Sequence, residues 1–127
     1  MKKIMLVDDE QDQIFSVKTG FETEYPNEYE IIFAESGKKC FELLEKNANP
    51  DIILLDIMMP GMDGWEVFDK LRSNQKYKKI PVIFLTARSD GLAKDAGSMI
   101  AEDYIEKPVD LSELKSRVDE VLKKTNK

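Results

Sequence analysis

Carboxylate side chains follow two short apolar runs of this sequence. Asp8 and Asp9 come directly after the run at residues 3–7, and Asp56 ends the run at residues 51–56. Three carboxylates in one crevice repel one another, so at least one of them stays protonated unless a cation offsets the charge. Hard oxygen ligands that leave room for water favour Mg²⁺ or Mn²⁺ over Ca²⁺, zinc or copper. We therefore predict a divalent cation at these three residues if the fold brings them together.

Two more polar residues end strand-like segments further along the chain. Thr86 ends the apolar run at residues 81–86, and Lys107 ends a weaker strand-like segment at residues 103–107. Lys107 could supply positive charge to the three carboxylates, and it is the charged residue that we expect to turn inward. Thr86 alone is equally explained by the preference of β-branched residues for strands.

The composition excludes several kinds of chemistry. The chain has no His and a single Cys among 127 residues, which excludes a Ser-His-Asp triad, a His-ligated metal and an internal disulfide. A lone cysteine favours a reducing compartment, and we expect a cytoplasmic protein. The net charge of −6 argues against direct nucleic acid binding, which needs a basic face. No apolar run approaches the ~20 residues of a membrane span, so we expect no membrane association.

Apolar runs and amphipathic segments alternate five times along the chain. Strands are predicted at residues 3–7, 29–34, 51–56, 81–86 and 103–107. Helices are predicted at residues 12–24, after the cap Ser36, at 65–73, at 91–100 and after the cap Asp110. Strict alternation favours a parallel sheet with helices on both faces. The predicted fold class is α/β, a flavodoxin-like doubly wound sheet in the order 2-1-3-4-5, whose strands one and three would bring the carboxylates together.

Four stretches of the sequence carry these polar residues. They read Ile-Met-Leu-Val-Asp-Asp-Glu, Pro-Asp-Ile-Ile-Leu-Leu-Asp-Ile-Met-Met-Pro-Gly-Met-Asp-Gly, Pro-Val-Ile-Phe-Leu-Thr-Ala and Asp-Tyr-Ile-Glu-Lys-Pro. In this order and spacing they resemble the receiver domain of two-component response regulators over nearly the whole chain. The resemblance implies a single receiver domain at residues 1–127, with its core at about 3–124, and we expect no output domain in this chain.

The resemblance implies a role for each residue at the strand ends. Asp56 is then the phosphoacceptor, which takes a phosphoryl group from a donor phosphohistidine. Asp8, Asp9, Asp56 and the backbone carbonyl of Met58 are the implied ligands of Mg²⁺ or Mn²⁺. Lys107 is implied to pair with a phosphoryl oxygen. The domain would assist its own phosphorylation and dephosphorylation, and would not be an enzyme that acts on free substrates.

The resemblance also implies a conformational switch. The Thr86 hydroxyl would donate a hydrogen bond to a phosphoryl oxygen, and the ring of Tyr104 would turn inward as Thr86 moves. Met58 and Arg88 occupy the two variable positions that tune hydrolysis of the phosphoryl group. Both side chains are large, so we expect the phosphoryl group to be long-lived. The Lys107–Pro108 peptide matches one that is cis in the family.

The implied partners are proteins. A sensor histidine kinase or a phosphotransfer protein would dock near the first helix, and an unknown downstream protein would bind the face made by the helix at 91–100, the last strand and the last helix. The expected state is a monomer or a phosphorylation-dependent dimer.

Two alternative functions stay open from the sequence. An Asp-nucleophile phosphohydrolase would have a second Asp two residues after Asp56, where this chain has Met58, which argues against turnover. A receiver-like module that binds partners without phosphorylation would not need the full set of polar residues, and the presence of all of them argues against it: Asp8, Asp9, Asp56, Thr86 and Lys107. Mg²⁺ binding, followed by Trp65 fluorescence, separates this module from a working switch. A nucleotide- or flavin-binding module is the least favoured, because no Gly-rich phosphate loop follows the first strand.

Overall fold

Strands and helices alternate in the described part of the chain up to residue 86, as the sequence predicts. The computed structural model describes residues 1–86, 103–107 and 110–125, except for the side chains of Thr86 and Asp103. The strands are β1 (Lys2–Val7), β2 (Tyr29–Ala34), β3 (Ile52–Asp56), β4 (Val82–Thr86) and β5 (Asp103–Glu106). The helices in this part of the chain are α1 (Gln11–Glu24), α2 (Gly37–Glu45), α3 (Gly64–Arg72) and α4 (Leu111–Thr125). The helix predicted at 91–100 lies outside the described residues.

The five strands form one parallel sheet in the order β2-β1-β3-β4-β5. This arrangement confirms the predicted α/β fold class and strand order. The register pairs Val7 of β1 with Leu55 of β3. The next residues along these strands are Asp8 and Asp56, so the register itself sets the two carboxylates side by side. The central strands thus position the site.

Two apolar clusters fill the spaces on either side of the sheet. One lies between the sheet and helices α1 and α4, and includes Phe21, Leu54 and Val118. The other lies on the side of α2 and α3, and includes Phe84 and Val67. Residues on the central strands are buried whichever face they point to, which explains why their sequences are continuous apolar runs. None of the helices in the described part of the chain is long and apolar enough to cross a bilayer.

Cys40 belongs to the second cluster. Its side chain is fully buried, and its Sγ lies 3.7 Å from the Sδ of Met5. Burial raises the pKa of the thiol to about 12, so the thiolate form is scarce at neutral pH. Cys40 is therefore a small core residue on the buried face of α2.

Side-chain caps fix the starts of three helices. Ser36 caps α2 and Asp110 caps α4, each accepting a backbone N–H from three residues further on, as predicted. The start of α3 carries a full capping box, in which Asp63 and Glu66 each accept the other's backbone N–H. The apolar pattern does not reveal that box, and the helix predicted from residue 65 starts one residue later than α3 does.

Candidate functional site

Three carboxylates meet at the carboxyl ends of β1 and β3. The residue Asp8 is fully buried and Asp56 is only 2% exposed, whereas Asp9 is exposed. One carboxylate oxygen from each residue lies within 4.8 Å of those of the other two. The structure therefore brings together the three acidic residues that the sequence singles out.

Lys107 turns inward to meet this cluster. Its side chain is 9% exposed, and its Nζ lies 2.9 Å from Oδ2 of Asp8 and 3.4 Å from Oδ1 of Asp56. A third carboxylate, that of Glu10, lies 3.6 Å away from the same nitrogen. The contact with Glu10 was not anticipated, because it depends on the direction in which the chain leaves β1.

Asp8 is held from both sides. Its Oδ1 accepts the backbone N–H of Glu10 at 2.9 Å, and its Oδ2 accepts a hydrogen bond from Lys107. Its own N–H donates to the carbonyl of Ala34, so β1 keeps its contact with β2 up to this residue. A carboxylate with both oxygens hydrogen-bonded keeps its orientation. Asp8 therefore fixes Lys107 beside Asp56.

The Asp56 carboxyl has an unusual proton affinity. Burial, and then the negative charge of Asp8, raise its pKa to about 6, although Lys107 acts in the opposite direction. Burial opposes the charge of Lys107 too, but the hydrogen bond to Asp8 and the nearby carboxylates outweigh it and raise the Lys107 pKa. The pair thus keeps an ammonium group beside a carboxylate that is mostly ionised only above about pH 6.

The donor set of the cluster suits a hard divalent cation. The ligand atoms on offer are carboxylate oxygens, which Mg²⁺ and Mn²⁺ accept readily. A cation would also relieve the repulsion that raises the Asp56 pKa. Asp8, Asp9 and Asp56 therefore fit the predicted cation. A ligand role for the backbone carbonyl of Met58 stays a prediction.

The chain makes a close backbone contact directly after Asp56. The N–H of Gly64 donates to the carbonyl of Ile57 at 2.8 Å. A Cβ atom on Gly64 would lie 2.4 Å from the carbonyl oxygen of Asp56 and 2.7 Å from the Cα of Ile57, closer than side chains tolerate. A glycine is therefore needed where α3 begins. Gly64 was not among the predicted site residues, although its place directly after the helix cap Asp63 is a usable signal.

The segment between β3 and α3 alternates between buried and exposed side chains. Ile57 and Met59 are buried, whereas Met58 is 68% exposed. Ile57 and Met59 therefore pack in the core, whereas the Met58 side chain faces solvent. Trp65 is half-buried at the start of α3, with its ring centroid 4.7 Å from that of Phe84.

Two predicted switch residues lie on adjacent strands. Thr86 ends β4 and pairs in register with Glu106, and Tyr104 on β5 pairs with Phe84. Tyr104 is half-buried and packs against the cluster on the α2 and α3 side. The Thr86 hydroxyl, Arg88 and the Lys107–Pro108 peptide lie outside the described part of the chain, so their roles stay predictions.

Comparison with known proteins supports one family. The model of the response regulator receiver domain matches residues 4–119. The chain is 38% identical to the response regulator ArlR of Staphylococcus saprophyticus over 125 residues, covering 98% of this chain and 54% of ArlR. It is 41% identical over 116 residues to a probable cyclic di-GMP phosphodiesterase of Vibrio cholerae, covering 91% of this chain and 25% of that protein.

Solved structures agree with the sequence matches. The fold is similar to the receiver domain of the Francisella response regulator 1452, with a TM-score of 0.85 and 32% identity, covering 98% of this chain and 99% of that one. The chain spans between 25% and 54% of the length of the first curated relatives that it matches. The relatives thus contain sequence beyond the region that is shared with this chain.

Proposed function

The chain belongs to the response regulator receiver domain family, and we propose from this premise that Asp56 accepts a phosphoryl group and thereby sets a signalling state. The proposed donor is the phosphohistidine of a sensor histidine kinase or of a phosphotransfer protein. One observation carries the assignment: Asp56 is buried beside two other carboxylates, with the Nζ of Lys107 3.4 Å from its Oδ1.

The proposed reaction is a transfer from nitrogen to oxygen. A carboxylate oxygen of Asp56 forms a bond to phosphorus while the bond from phosphorus to the donor imidazole breaks. The electron pair of that bond stays with the imidazole nitrogen, and the product on Asp56 is an acyl phosphate. Protein groups mainly position the reactants and neutralise charge in such a transfer.

Lys107 and the carboxylates divide that work. The ammonium group of Lys107 lies close enough to Asp56 to bind an oxygen of the arriving phosphoryl group, and Asp8 orients it there. Asp8, Asp9, Asp56 and the backbone carbonyl of Met58 would hold Mg²⁺ or Mn²⁺. When bound, the cation supplies positive charge that offsets the charge of the phosphoryl oxygens.

The proposed switch runs through β4 and β5. Thr86 would report the phosphoryl group through its hydroxyl, and Tyr104 would follow it. The two residues lie on neighbouring strands, two positions apart in the register, and this placement supports a coupled movement. An unknown downstream protein would bind the altered face, either to a monomer or to a phosphorylation-dependent dimer.

Other features of the proposal follow the family. The matched region extends over most of the chain, and we propose a single receiver domain that acts as a regulator in the cytoplasm. Met58 and Arg88 are proposed to crowd the path of the attacking water and so to prolong the life of the acyl phosphate. The exposure of the Met58 side chain is compatible with that role.

The test is the intact mass of the protein after incubation with acetyl phosphate, with and without Mg²⁺. We expect one added phosphoryl group that requires Mg²⁺ and is absent in Asp56→Asn. The matched control is Asp69→Asn, which changes an exposed carboxylate on α3 and should be phosphorylated like the unmodified protein. Phosphorylation of Asp56→Asn to the same extent would refute the assignment of the acceptor.

A negative result separates two explanations. If no group is added although Mg²⁺ changes Trp65 fluorescence, transfer from a purified phosphohistidine donor is the next measurement. Failure with both donors would favour a module that binds partners without phosphorylation.

A further inference from the structure

Glu10 contacts the candidate site through a side chain that the proposed function leaves unused. It is the N-cap residue of α1, yet its side chain makes no capping hydrogen bond. Instead its Oε1 lies 3.6 Å from the Nζ of Lys107, while 63% of its side chain remains exposed. The Glu10 carboxylate thus contacts the buried ammonium group of Lys107 instead of the backbone N–H groups at the start of α1.

We propose that Glu10 is a positioning residue that tethers Lys107 in the unphosphorylated protein and weakens its attraction for the phosphoryl group. This inference rests on the proposed function of Asp56. In the resting state Lys107 divides its charge among Asp8, Asp56 and Glu10. A phosphoryl group on Asp56 must then compete with Glu10 for the same nitrogen.

The geometry separates Glu10 from the two other carboxylates. Asp8 is buried and hydrogen-bonded through both oxygens, so it cannot release Lys107 without breaking the site. Glu10 lies at the solvent-exposed edge of the site, and its carboxylate is largely in water. Its contact with Lys107 can therefore form and break with little change in free energy. Contacts of this exposed kind change an equilibrium by about 1.5- to 5-fold. Glu10 therefore changes how tightly Lys107 can bind a phosphoryl group without blocking that binding.

The test measures binding of beryllofluoride, a tetrahedral complex that bonds to a carboxylate oxygen as a phosphoryl group does. Binding is followed by the fluorescence of Trp65, the single tryptophan of the chain, at saturating Mg²⁺. We expect Glu10→Gln to bind beryllofluoride about two- to fivefold more tightly than the unmodified protein. The advantage should shrink as NaCl rises from about 0.02 M to about 0.5 M, because salt screens exposed charges.

Two further variants distinguish a tether from a general effect of charge. Glu10→Asp keeps the charge but shortens the side chain by one methylene, so we expect it to bind beryllofluoride as tightly as Glu10→Gln. Glu24→Gln removes the same charge from the far end of α1, at an exposed position, and we expect unchanged binding. Thermal unfolding of each variant checks that the fold is retained.

Each outcome has a distinct meaning. Equal or weaker binding by Glu10→Gln overturns the tether, and so does a Glu10→Asp variant that behaves like the unmodified protein. Tighter binding by Glu24→Gln of the same size would assign the effect to net charge. Failure of the unmodified protein to bind beryllofluoride, with Mg²⁺ bound, would instead refute the proposed function of Asp56 and the inference with it.

Discussion

Charge is concentrated among a few buried residues at the carboxyl end of the sheet. Asp56 lies within reach of two other carboxylates and one ammonium group, in a place from which water is largely excluded. Its ionised form is therefore expensive in the folded protein, which is why its pKa is raised. The same arrangement that we propose prepares Asp56 for a cation and a phosphoryl group lowers the stability of the cation-free fold.

The pH dependence of stability should show this cost. The folded-state pKa of Asp56 is raised from 3.8 to about 6, so the folded protein binds the proton more tightly than the unfolded chain does. The contribution of this residue to the free energy of unfolding is therefore greatest below about pH 4 and falls as the pH rises to about 6. Asp56→Asn removes the ionisation, and without divalent cations at about pH 7.5 it should raise the free energy of unfolding by about 1–3 kcal/mol.

Urea unfolding with a chelator present, at about pH 4 and about pH 7.5, measures this effect. The increase in the free energy of unfolding caused by Asp56→Asn should be smaller at the lower pH, because the Asp56 carboxyl of the folded protein is protonated there. Asp69→Asn, on an exposed turn of α3, is the matched control and should change little at either pH. Equal stability of Asp56→Asn and the unmodified protein at the higher pH would contradict the raised pKa.

Gly64 gives a second prediction at the scale of one residue. Its substitution by Ala places a Cβ against the backbone of Asp56 and Ile57, which cannot move aside as a flexible side chain can. We expect Gly64→Ala to lower the free energy of unfolding by about 1–3 kcal/mol, as overpacking does. Thermal unfolding measures the loss.

The control for that prediction is Gly20→Ala, within α1. There the nearest atom to the new Cβ would belong to the flexible end of the Leu111 side chain, at 3.0 Å, and Ala favours the helix by about 0.5–1 kcal/mol. We expect its stability to change by less than that of Gly64→Ala. Equal losses in both variants would show that the backbone contact at Asp56 has no special cost.

The sequence predicts residues of the site better than contacts between them. Four residues could be identified because they stand at the ends of predicted strands, and the carboxyl ends of parallel strands meet at one edge of the sheet: Asp8, Asp9, Asp56 and Lys107. The contacts of Glu10 with Lys107 and of Gly64 with Asp56 could not, because they depend on distances of a few ångströms between separate elements.

At the scale of elements, α3 begins against the residue that we propose is phosphorylated. Its first residue, Gly64, touches the backbone of Asp56, and the capping box of Asp63 and Glu66 holds the helix in that place. A change that loosens the start of α3 should therefore also shift the backbone of Asp56. Elements are predictable from the sequence where apolar periodicity marks them, whereas the cap that fixes this start was missed because the apolar pattern begins after it.

The capping box supports a prediction about α3. Asp63→Ala removes the acceptor for the Glu66 N–H, which lies 3.0 Å from Asp63 Oδ1, and should lower the free energy of unfolding by about 1 kcal/mol. Asp63→Asn keeps a side-chain oxygen that can accept the same hydrogen bond, so its free energy of unfolding should fall much less. Thermal unfolding of the two variants gives the comparison, and an equal loss in both would assign the effect to charge rather than to the cap.

At the scale of the whole molecule, the two ends of the sheet contain different kinds of charged cluster. The carboxyl end holds the crowded carboxylates. At the amino end, Asp119 of α4 accepts hydrogen bonds from the Tyr29 hydroxyl, from Lys2 and from Lys115. Burial opposes its ionisation, but these hydrogen bonds outweigh burial and lower its pKa. This cluster joins α4 to the first residues of β1 and β2, so it fastens the C-terminal helix to the sheet.

Because the two clusters are far apart, an Asp→Asn substitution in one should not disturb the other. The substitution should lower the free energy of unfolding at Asp119 and raise it at Asp56. The six residues of β1 place the ends of the sheet about 20 Å apart. Asp119→Asn should lower the free energy of unfolding by about 1–2 kcal/mol, because three charged or hydroxyl donors lose a carboxylate. The loss should fade as the pH falls below about 4, where the carboxylate that makes these bonds becomes protonated. Phosphorylation of Asp56 by acetyl phosphate should be unchanged.

Urea unfolding and intact mass, measured on the same samples, check both halves of that prediction. Glu120→Gln is the matched control on α4, since its contact with Lys124 joins two exposed side chains at 3.7 Å and should contribute little. Asp56→Asn should show the opposite result in both measurements: a higher free energy of unfolding without divalent cations, and no phosphorylation. A folded Asp119→Asn protein that is no longer phosphorylated would show that the two ends of the sheet are coupled, because the packed strands between them would then transmit the change.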